Sequence, residues 1–355
     1  MVRITPVEGH AESLVPADKQ WKLVWSDEFD GDSLDETKWN YRLNFWGYRS
    51  PTWTTEGVVV SDGTLKINMI RKGDDFYSAH LQTGGLTFDN PRDETSKVFW
   101  PFGKKDQAKF MHRYGYYECR CKLPKNDGWH AAFWLQAPGI GSHPDPAVAG
   151  VECDIMENYR QHKDGSIVCG CGWGGYGNEG RWFGHFQFPF EETADGWHAA
   201  YWLQAPGIGS HPDPAVAGVE CDIMENYRQH KDGSIVCGCG WGGYGNEGRW
   251  FGHFQFPFKE TADGWHTYGV DWSPEGYIFY ADGQLVGKQM APECPVSKVE
   301  QFILVSTECH GYNRIFRSVG EAGEAAVKSQ PVPELLQAVL PDCFEVDYVR
   351  VFDAV

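Results

Sequence analysis

The chain is short of positive charge, of long apolar runs and of cysteines in paired spacing. Lys and Arg number 31 against 49 Asp and Glu, a formal charge of −18. That balance argues against nucleic acid or an anionic membrane surface as a partner. It also disfavours a heavily sulfated polysaccharide unless a local Lys/Arg patch overrides it. No apolar run approaches the ~20 residues of a membrane-crossing helix. The opening MVRITPVEGHAESLVPADKQ lacks the apolar core of a signal peptide. The expectation is therefore an intracellular protein or one whose leader was removed. The 11 cysteines include no C-x-x-C and no zinc spacing. Most lie as C-x-C in strand-like runs (Cys119 with Cys121, Cys169 with Cys171) and are expected to be reduced, small buried residues. Helical periodicity is scarce too: only PVPELLQAVL, residues 331–340, reads as a short helix.

What the chain has instead is aromatic strands. Phe, Trp and Tyr make up 15% of it, with 16 Trp, more than a core requires and suited to stacking on sugar rings. Residues 1–19 read as an extended, frayed lead-in. WKLVWSDEF begins an alternating strand, and VVVSDGTLKINMI is strand, S-D-G-T turn, strand. NYRLNFWGYRSPTWTT has the Gly/Pro-broken aromatic character of a loop at a cleft rim. The polar stretch 86–109 is long enough to be a functional or mobile loop. Later, HTYGVDWSPEGYIFYADGQLVGKQM repeats the strand–turn–strand pattern, with A-D-G-Q as the hairpin turn. CFEVDYVRVF closes the chain as an alternating strand.

One stretch occurs twice. Residues 127–193 recur at an offset of 68 as residues 195–261, differing only at Phe133/Tyr201 and Glu191/Lys259. DGWH stands at Asp127, Asp195 and Asp263, so unequal recombination between two such sites would produce this chain. Solenoid repeats drift and run in threes or more, which excludes that reading. A sandwich has one place for each strand, yet residues 127–194 and 195–262 offer two sets. A 68-residue excursion costs only a few kcal/mol of closure entropy. The expectation is one single domain over residues 20–355 with one copy extra, the first copy being favoured by order of synthesis. The expelled strands would leave open edges, through which the chain would self-associate or swap.

Each copy carries VECDIMENY, which sets Glu152, Asp154 and Glu157, and again Glu220, Asp222 and Glu225, on a short strand-like run. Alternation puts Glu152 and Asp154 on one face. If one residue bulges at Ile155 or Met156, Glu157 joins them. Outer carboxyl groups leaning together could reach the ~5–5.5 Å of a retaining glycosidase. One Glu would attack the anomeric carbon while the other protonates the leaving oxygen, and the Asp would keep their pKa values apart. A solvated acidic face or a cation site are the competing readings of these residues alone.

The motifs together narrow the choice. ECDIMEN, preceded by YGYYECRCKLP and AAFWLQ and followed by QFILVSTE and FEVDYVRVF, resembles glycoside hydrolase family 16. WSDEFDG, DGTLKI and GWHTYGVDWSPEGYIFYADGQ fall in the same order, and the likeness runs from about Trp21 to Phe352. The resemblance implies an all-β, concanavalin A-like jelly roll of two antiparallel sheets with a catalytic cleft on the concave face. It implies a retaining endo-glycosidase acting on a neutral β-linked polysaccharide, β-1,3-glucan first. A galactan-cleaving enzyme of the agarase or carrageenase kind and a carbohydrate-binding protein without turnover are the alternatives.

By position, Glu152 (or Glu220) is implied as nucleophile, Asp154 (or Asp222) as its assistant and Glu157 (or Glu225) as acid/base. The two residues between Asp and the second Glu are similar to the bulged laminarinase branch. Trp134, Trp173 and Arg181, or Trp202, Trp241 and Arg249, would border the substrate, with core packing the equal alternative for Trp134. Many members carry a His where this chain has Gly172. No cofactor is required by the chemistry. A structural calcium is implied at Glu28, the Gly63 carbonyl and Asp347, plain surface carboxylates being the competing reading. The family's usual address is extracellular or periplasmic.

Overall fold

A computed structural model describes residues 1–45, 48–49, 52–85, 107–126, 128–138, 146–159, 167–173, 181–188, 200–204, 219–225, 236–241, 249–251, 261–292, 296–309 and 331–355. Most of the 86–109 stretch lies outside the described residues. Two antiparallel sheets face each other. The first has seven strands in the order Arg181–Phe188, Ile167–Trp173, Glu152–Tyr159, Trp129–Gln136, Phe302–Cys309, His80–Gln82 and Asn40–Tyr41. The second has eight: seven in the order Gln284–Met290, Gly276–Ala281, His266–Ser273, Gly115–Lys122, Cys343–Ala354, Thr64–Asn68 and Val58–Ser61, with Trp21–Asp27 also paired to Cys343–Ala354. The described helices are single turns, one of them Pro333–Leu336 within the stretch expected to be helical.

Alternation builds the core. On Gly115–Lys122, Tyr117, Cys119 and Cys121 point between the sheets, where they meet Phe133, Leu135, Val270, Phe279, Val305 and Val351. Burial pushes the Cys119 thiol well above its ordinary range and that of Cys309 up to about 12. These cysteines are free and buried, and so act as small apolar residues rather than nucleophiles. The hairpins close where the sequence says they should. Ser61 pairs with Thr64 around Asp62 and Gly63 (φ 56° and 73°), and Ala281 pairs with Gln284 around Asp282 and Gly283 (φ 45° and 73°). Two consecutive positive φ values make the primed turn that matches strand twist.

The first twenty residues do not fray. Val2–Val7 and His10–Pro16 pair as a hairpin that lies on the outer face of the eight-stranded sheet. Val15 packs there with Tyr116, Tyr280 and Phe352. Beneath the hairpin is a charged layer. The Leu14 N–H donates to Glu118 Oε1 at 2.7 Å, and Tyr116 Oη donates to the Leu14 carbonyl at 3.1 Å. Arg350 donates to the Ala11 carbonyl and to Ser13 Oγ, while its other nitrogens grip both oxygens of Glu28 at 3.0 and 2.7 Å. Lys19 reaches the buried Asp271 at 2.6 Å. The sequence pattern hid this because the hairpin has few apolar residues and is held largely by polar bonds.

The strands of the two sequence copies have different surroundings. Those of residues 127–194 supply four strands of the seven-stranded sheet. Those of residues 195–262 form a separate four-stranded sheet, Ala200–Gln204, Val219–Glu225, Val236–Trp241 and Arg249–Phe251. Its two middle strands approach the edge strand Arg181–Phe188.

Burial raises the Glu118 carboxyl to about 7, opposed by the Leu14 N–H and by Arg350. A folded pKa above the unfolded one means the folded state retains a proton that the unfolded chain has already released. Stability therefore falls as pH rises from about 4.5 to about 7 and is level above that, by on the order of 3 kcal/mol for this group. Glu118→Gln, which keeps an acceptor for Leu14, is expected to flatten this slope. Urea midpoints at pH 5 and pH 8 in the two proteins measure it; equal slopes would exclude the assignment.

Candidate active site

On Trp129–Gln136, Ala131, Phe133 and Leu135 belong to the core, so the alternate residues Ala132, Trp134 and Gln136 take the opposite face of the seven-stranded sheet. The ladder to the next strand pairs Gln136 with Glu152, Trp134 with Asp154 and Ala132 with Glu157. Register shifts between Phe133 and Trp134 on this ladder, and between Asp154 and Glu157 on the ladder to Ile167–Trp173. Ile155 and Met156 are both core residues, so two consecutive residues occupy one strand step. That is the geometry of a β-bulge. The acidic positions consequently stand opposite three residues of a single face. Asp154 is buried at 2% exposure; the side chains of Glu152 and Glu157 lie outside the described residues.

Phe302–Cys309 continues the face. Leu304 is opposite Trp134 and Ser306 is opposite Ala132; beyond them, His80 is opposite Ser306 and Gln82 opposite Leu304. Trp134 Nε1 donates to Ser306 Oγ at 3.1 Å. The His80 ring lies 5.7 Å from the Trp134 ring and edge-on to Trp53 at 4.4 Å, and the Arg42 guanidinium stands 5.6 Å from the Trp134 centroid. A hydrogen-bonding indole, a cation and a second aromatic pair are thus gathered beside the acidic strand.

Of the other sequence candidates, Trp173 pairs with Arg181 at the end of their ladder, and Gly172 stands directly opposite Glu152. In the four-stranded sheet the local pattern recurs: Gln204 with Glu220, Trp202 with Asp222, Ala200 with Glu225, and Trp241 with Arg249. The side chains of these residues, like those of Trp173 and Arg181, lie outside the described residues. Phe302–Cys309 and His80–Gln82 belong to the first sheet alone.

Two of the positions expected to hold calcium, Glu28 and Asp347, are engaged by arginines. Glu28 is held at both oxygens by Arg350 and Asp347 by Arg120 at 2.5 Å. A guanidinium beside each carboxylate opposes a divalent ion. Among the described residues no group of three or more His, Cys, Asp or Glu is placed to hold a metal. No described helix is long and apolar enough to cross a membrane.

Comparison with known proteins bears on the same strands. Residues 172–296 match the model of glycosyl hydrolases family 16. The matched segment runs through the second acidic copy, whose sequence the first copy repeats almost unchanged. The chain is 30% identical over 156 residues to glucan endo-1,3-beta-glucosidase A1 of Niallia circulans, covering 40% of this chain and 20% of that protein. It is 31% identical over 158 residues to a beta-glucanase of Rhodothermus marinus, covering 41% and 46%. The chain therefore spans less than half the length of either relative. Beta-porphyranase B of Zobellia galactanivorans is 23% identical over 312 residues, 86% of this chain and 80% of that one. The laminarinase of Flavobacterium sp. UMI-01 superposes with a TM-score of 0.50 at 17% identity over 94% of this chain and all of that one. The laminarinase catalytic domain of Thermotoga maritima MSB8 gives 0.50 at 19% over 95% and 100%. At such identity the structural likeness speaks to fold alone: the chain is an all-β jelly-roll sandwich.

Sequence reasoning did not single out His80, Gln82, Arg42, Trp53 or Ser306. Trp53 and Arg42 fall in the aromatic rim stretch and Ser306 in QFILVSTE, so those two stretches carried the signal. His80 lies on a three-residue strand, too short to show a period. Trp134 keeps only 8% exposure, so its truncation removes packing. Trp134→Ala is expected to lower the free energy of unfolding by about 3 kcal/mol or more. A loss under about 1 kcal/mol in urea denaturation would contradict the packing described.

Proposed function

We propose that the chain is a retaining endo-glycosidase that hydrolyses a β-linked polysaccharide, β-1,3(4)-glucan first, by double displacement. The single supporting observation is the register that sets Glu152, Asp154 and Glu157 opposite Gln136, Trp134 and Ala132 on one face. Four strand steps separate the outer backbones by roughly 13 Å; side chains inclined toward each other bring the carboxyls to the ~5–5.5 Å of a retaining pair. The Glu152 carboxylate bonds to the anomeric carbon as the glycosidic C–O bond breaks, and Glu157 gives its proton to the departing oxygen. Glu157 then takes a proton from water, whose oxygen displaces Glu152. Asp154 between them keeps the two carboxyls from ionising together. Protein carboxylates carry every step, so no cofactor is needed.

The reading places the working site in the first copy. The bulged acidic strand recurs in the second, but His80 and Ser306 flank the first. The second copy is then the extra one, and an edge of its four-stranded sheet, unpaired among the described residues, would be a route to self-association. An extracellular or periplasmic address accords with a polymeric substrate. A galactan-cleaving enzyme is the second reading, favoured by the alignment of beta-porphyranase B over 86% of this chain.

Release of reducing ends from laminarin, agarose and carrageenan ranks the substrates; binding without release from any would leave a carbohydrate-binding protein instead. On the preferred polymer, Glu152→Gln is expected to cut kcat by on the order of 10³-fold or more. Glu220→Gln is expected to leave it near the parent value. Wild-type turnover in the double variant would remove the nucleophile assignment, and loss in Glu220→Gln alone would move the site to the second copy.

A further inference from the structure

The two sequence copies differ at one position that the structure places in the core. Phe133 is fully enclosed, at 0% exposure, and its ladder partners are Met156 on one side and Val305 on the other. Its counterpart is Tyr201, which pairs with Met224 at the same step and beside the same register shift. Seating the second copy against Phe302–Cys309 would therefore bring the Tyr201 ring to the place of Phe133. Its additional oxygen would need both room and a hydrogen-bond partner. The cluster around that place holds Cys153, Ile155, Met156 and Val305, and the Tyr117 hydroxyl, buried in the same cluster, has no hydrogen-bond partner among the described residues. Burying a hydroxyl unpaired is costly, and so is forcing an extra atom into a packed core.

We propose that Phe133 is a positioning residue: its bare ring, set against the hydroxyl of Tyr201, selects the first copy for the place beside Phe302–Cys309 and so decides which acids work. Chain closure does not discriminate, because seating either copy expels the same number of residues, 68. Local pairing does not discriminate either, since both copies form the same ladder with the same shift. The other difference, Glu191/Lys259, falls after the strand that ends at Phe188 and lies outside the described residues. The remaining difference is the ring at 133, and the preference it creates is expected to be roughly tenfold to a hundredfold. Its consequence for catalysis rests on the reading of Glu152 as nucleophile; the seating itself does not.

Hydrogen exchange read on peptic fragments of the full-length chain tests this, since fragments reaching back to Asn126 or to Ala194 tell the two copies apart. In the parent, residues 131–136, bonded to strands on both sides, are expected to exchange more slowly than residues 199–204. Tyr201→Phe, which leaves the first copy untouched, is expected to bring the two to similar rates. Phe133→Tyr combined with Tyr201→Phe is expected to reverse the order. On the polymer the parent cleaves, the same pair is expected to transfer the loss of kcat from Glu152→Gln to Glu220→Gln. Should the double variant not fold, Tyr201→Phe alone decides. An exchange order unchanged from the parent in either folded protein overturns the proposal and leaves the nucleophile assignment standing. An order that reverses while activity still depends on Glu152 supports the selection by Phe133 and overturns the tie between the seated copy and catalysis. A parent that hydrolyses none of the glycans overturns the hydrolytic reading alone, because the exchange readout needs no turnover.

Discussion

The site depends on one extra residue in one strand. Between Asp154 and Glu157 the chain takes three steps where the partner ladders take two. Ile155 and Met156 can then both enter the core, and the next acid comes back to the face that Asp154 occupies. Without the shift, alternation would put Met156 on the acidic face and send Glu157 among Phe133, Cys153 and Val305. Burying a carboxylate there without partners would cost several kcal/mol. The apolar demand of Ile155 and Met156 and the polar demand of Glu157 are met together only by a bulge. Core packing thus enforces the local irregularity on which the proposed chemistry relies.

The duplicated segment separates local from tertiary causes. Trp202, Asp222 and Glu225 meet the same register partners as their counterparts and the same two register shifts appear, so short-range pairing follows from the local sequence. What the second copy lacks is a place between the flanking strands. Phe302–Cys309 has two edges, taken by Trp129–Gln136 and His80–Gln82. A strand edge offers one ladder, and the first copy holds it. Equivalent sequence therefore ends in inequivalent surroundings.

The outer face of the other sheet is covered in a different manner. Glu118, Arg350 and Asp271 are buried beneath the N-terminal hairpin, and Arg350 serves Glu28, Ala11 and Ser13 at once. Burial is what raises Glu118 to about 7; the Leu14 N–H, Ser13 and Arg350, the last shared among several acceptors, offset it only in part. The hairpin is held by these polar bonds together with the apolar contact of Val15, Tyr116, Tyr280 and Phe352, and its hold varies with pH through Glu118.

Much of this was legible in residue order. Alternation in WKLVWSDEF and CFEVDYVRVF, the S-D-G-T and A-D-G-Q turns and the spacing of the acids all reflect forces acting within a few residues, where strand period and turn φ values leave few choices. The bulge could be named as a condition at Ile155 or Met156 but not required, because its cause, the burial of both side chains beside Phe133, Cys153 and Val305, is set by packing between strands. The docking of residues 1–16, the contacts of His80 with Trp134 and Trp53, and the Trp134–Ser306 hydrogen bond were out of reach. Each joins segments from 27 to 339 residues apart. Local sequence determined the strands, the turns and the acidic pattern, because those are set by backbone geometry and neighbouring side chains. Only the tertiary structure decided which copy sits between the flanking strands and what surrounds its acids, because a ladder edge admits one partner and burial is shared by residues distant in the chain.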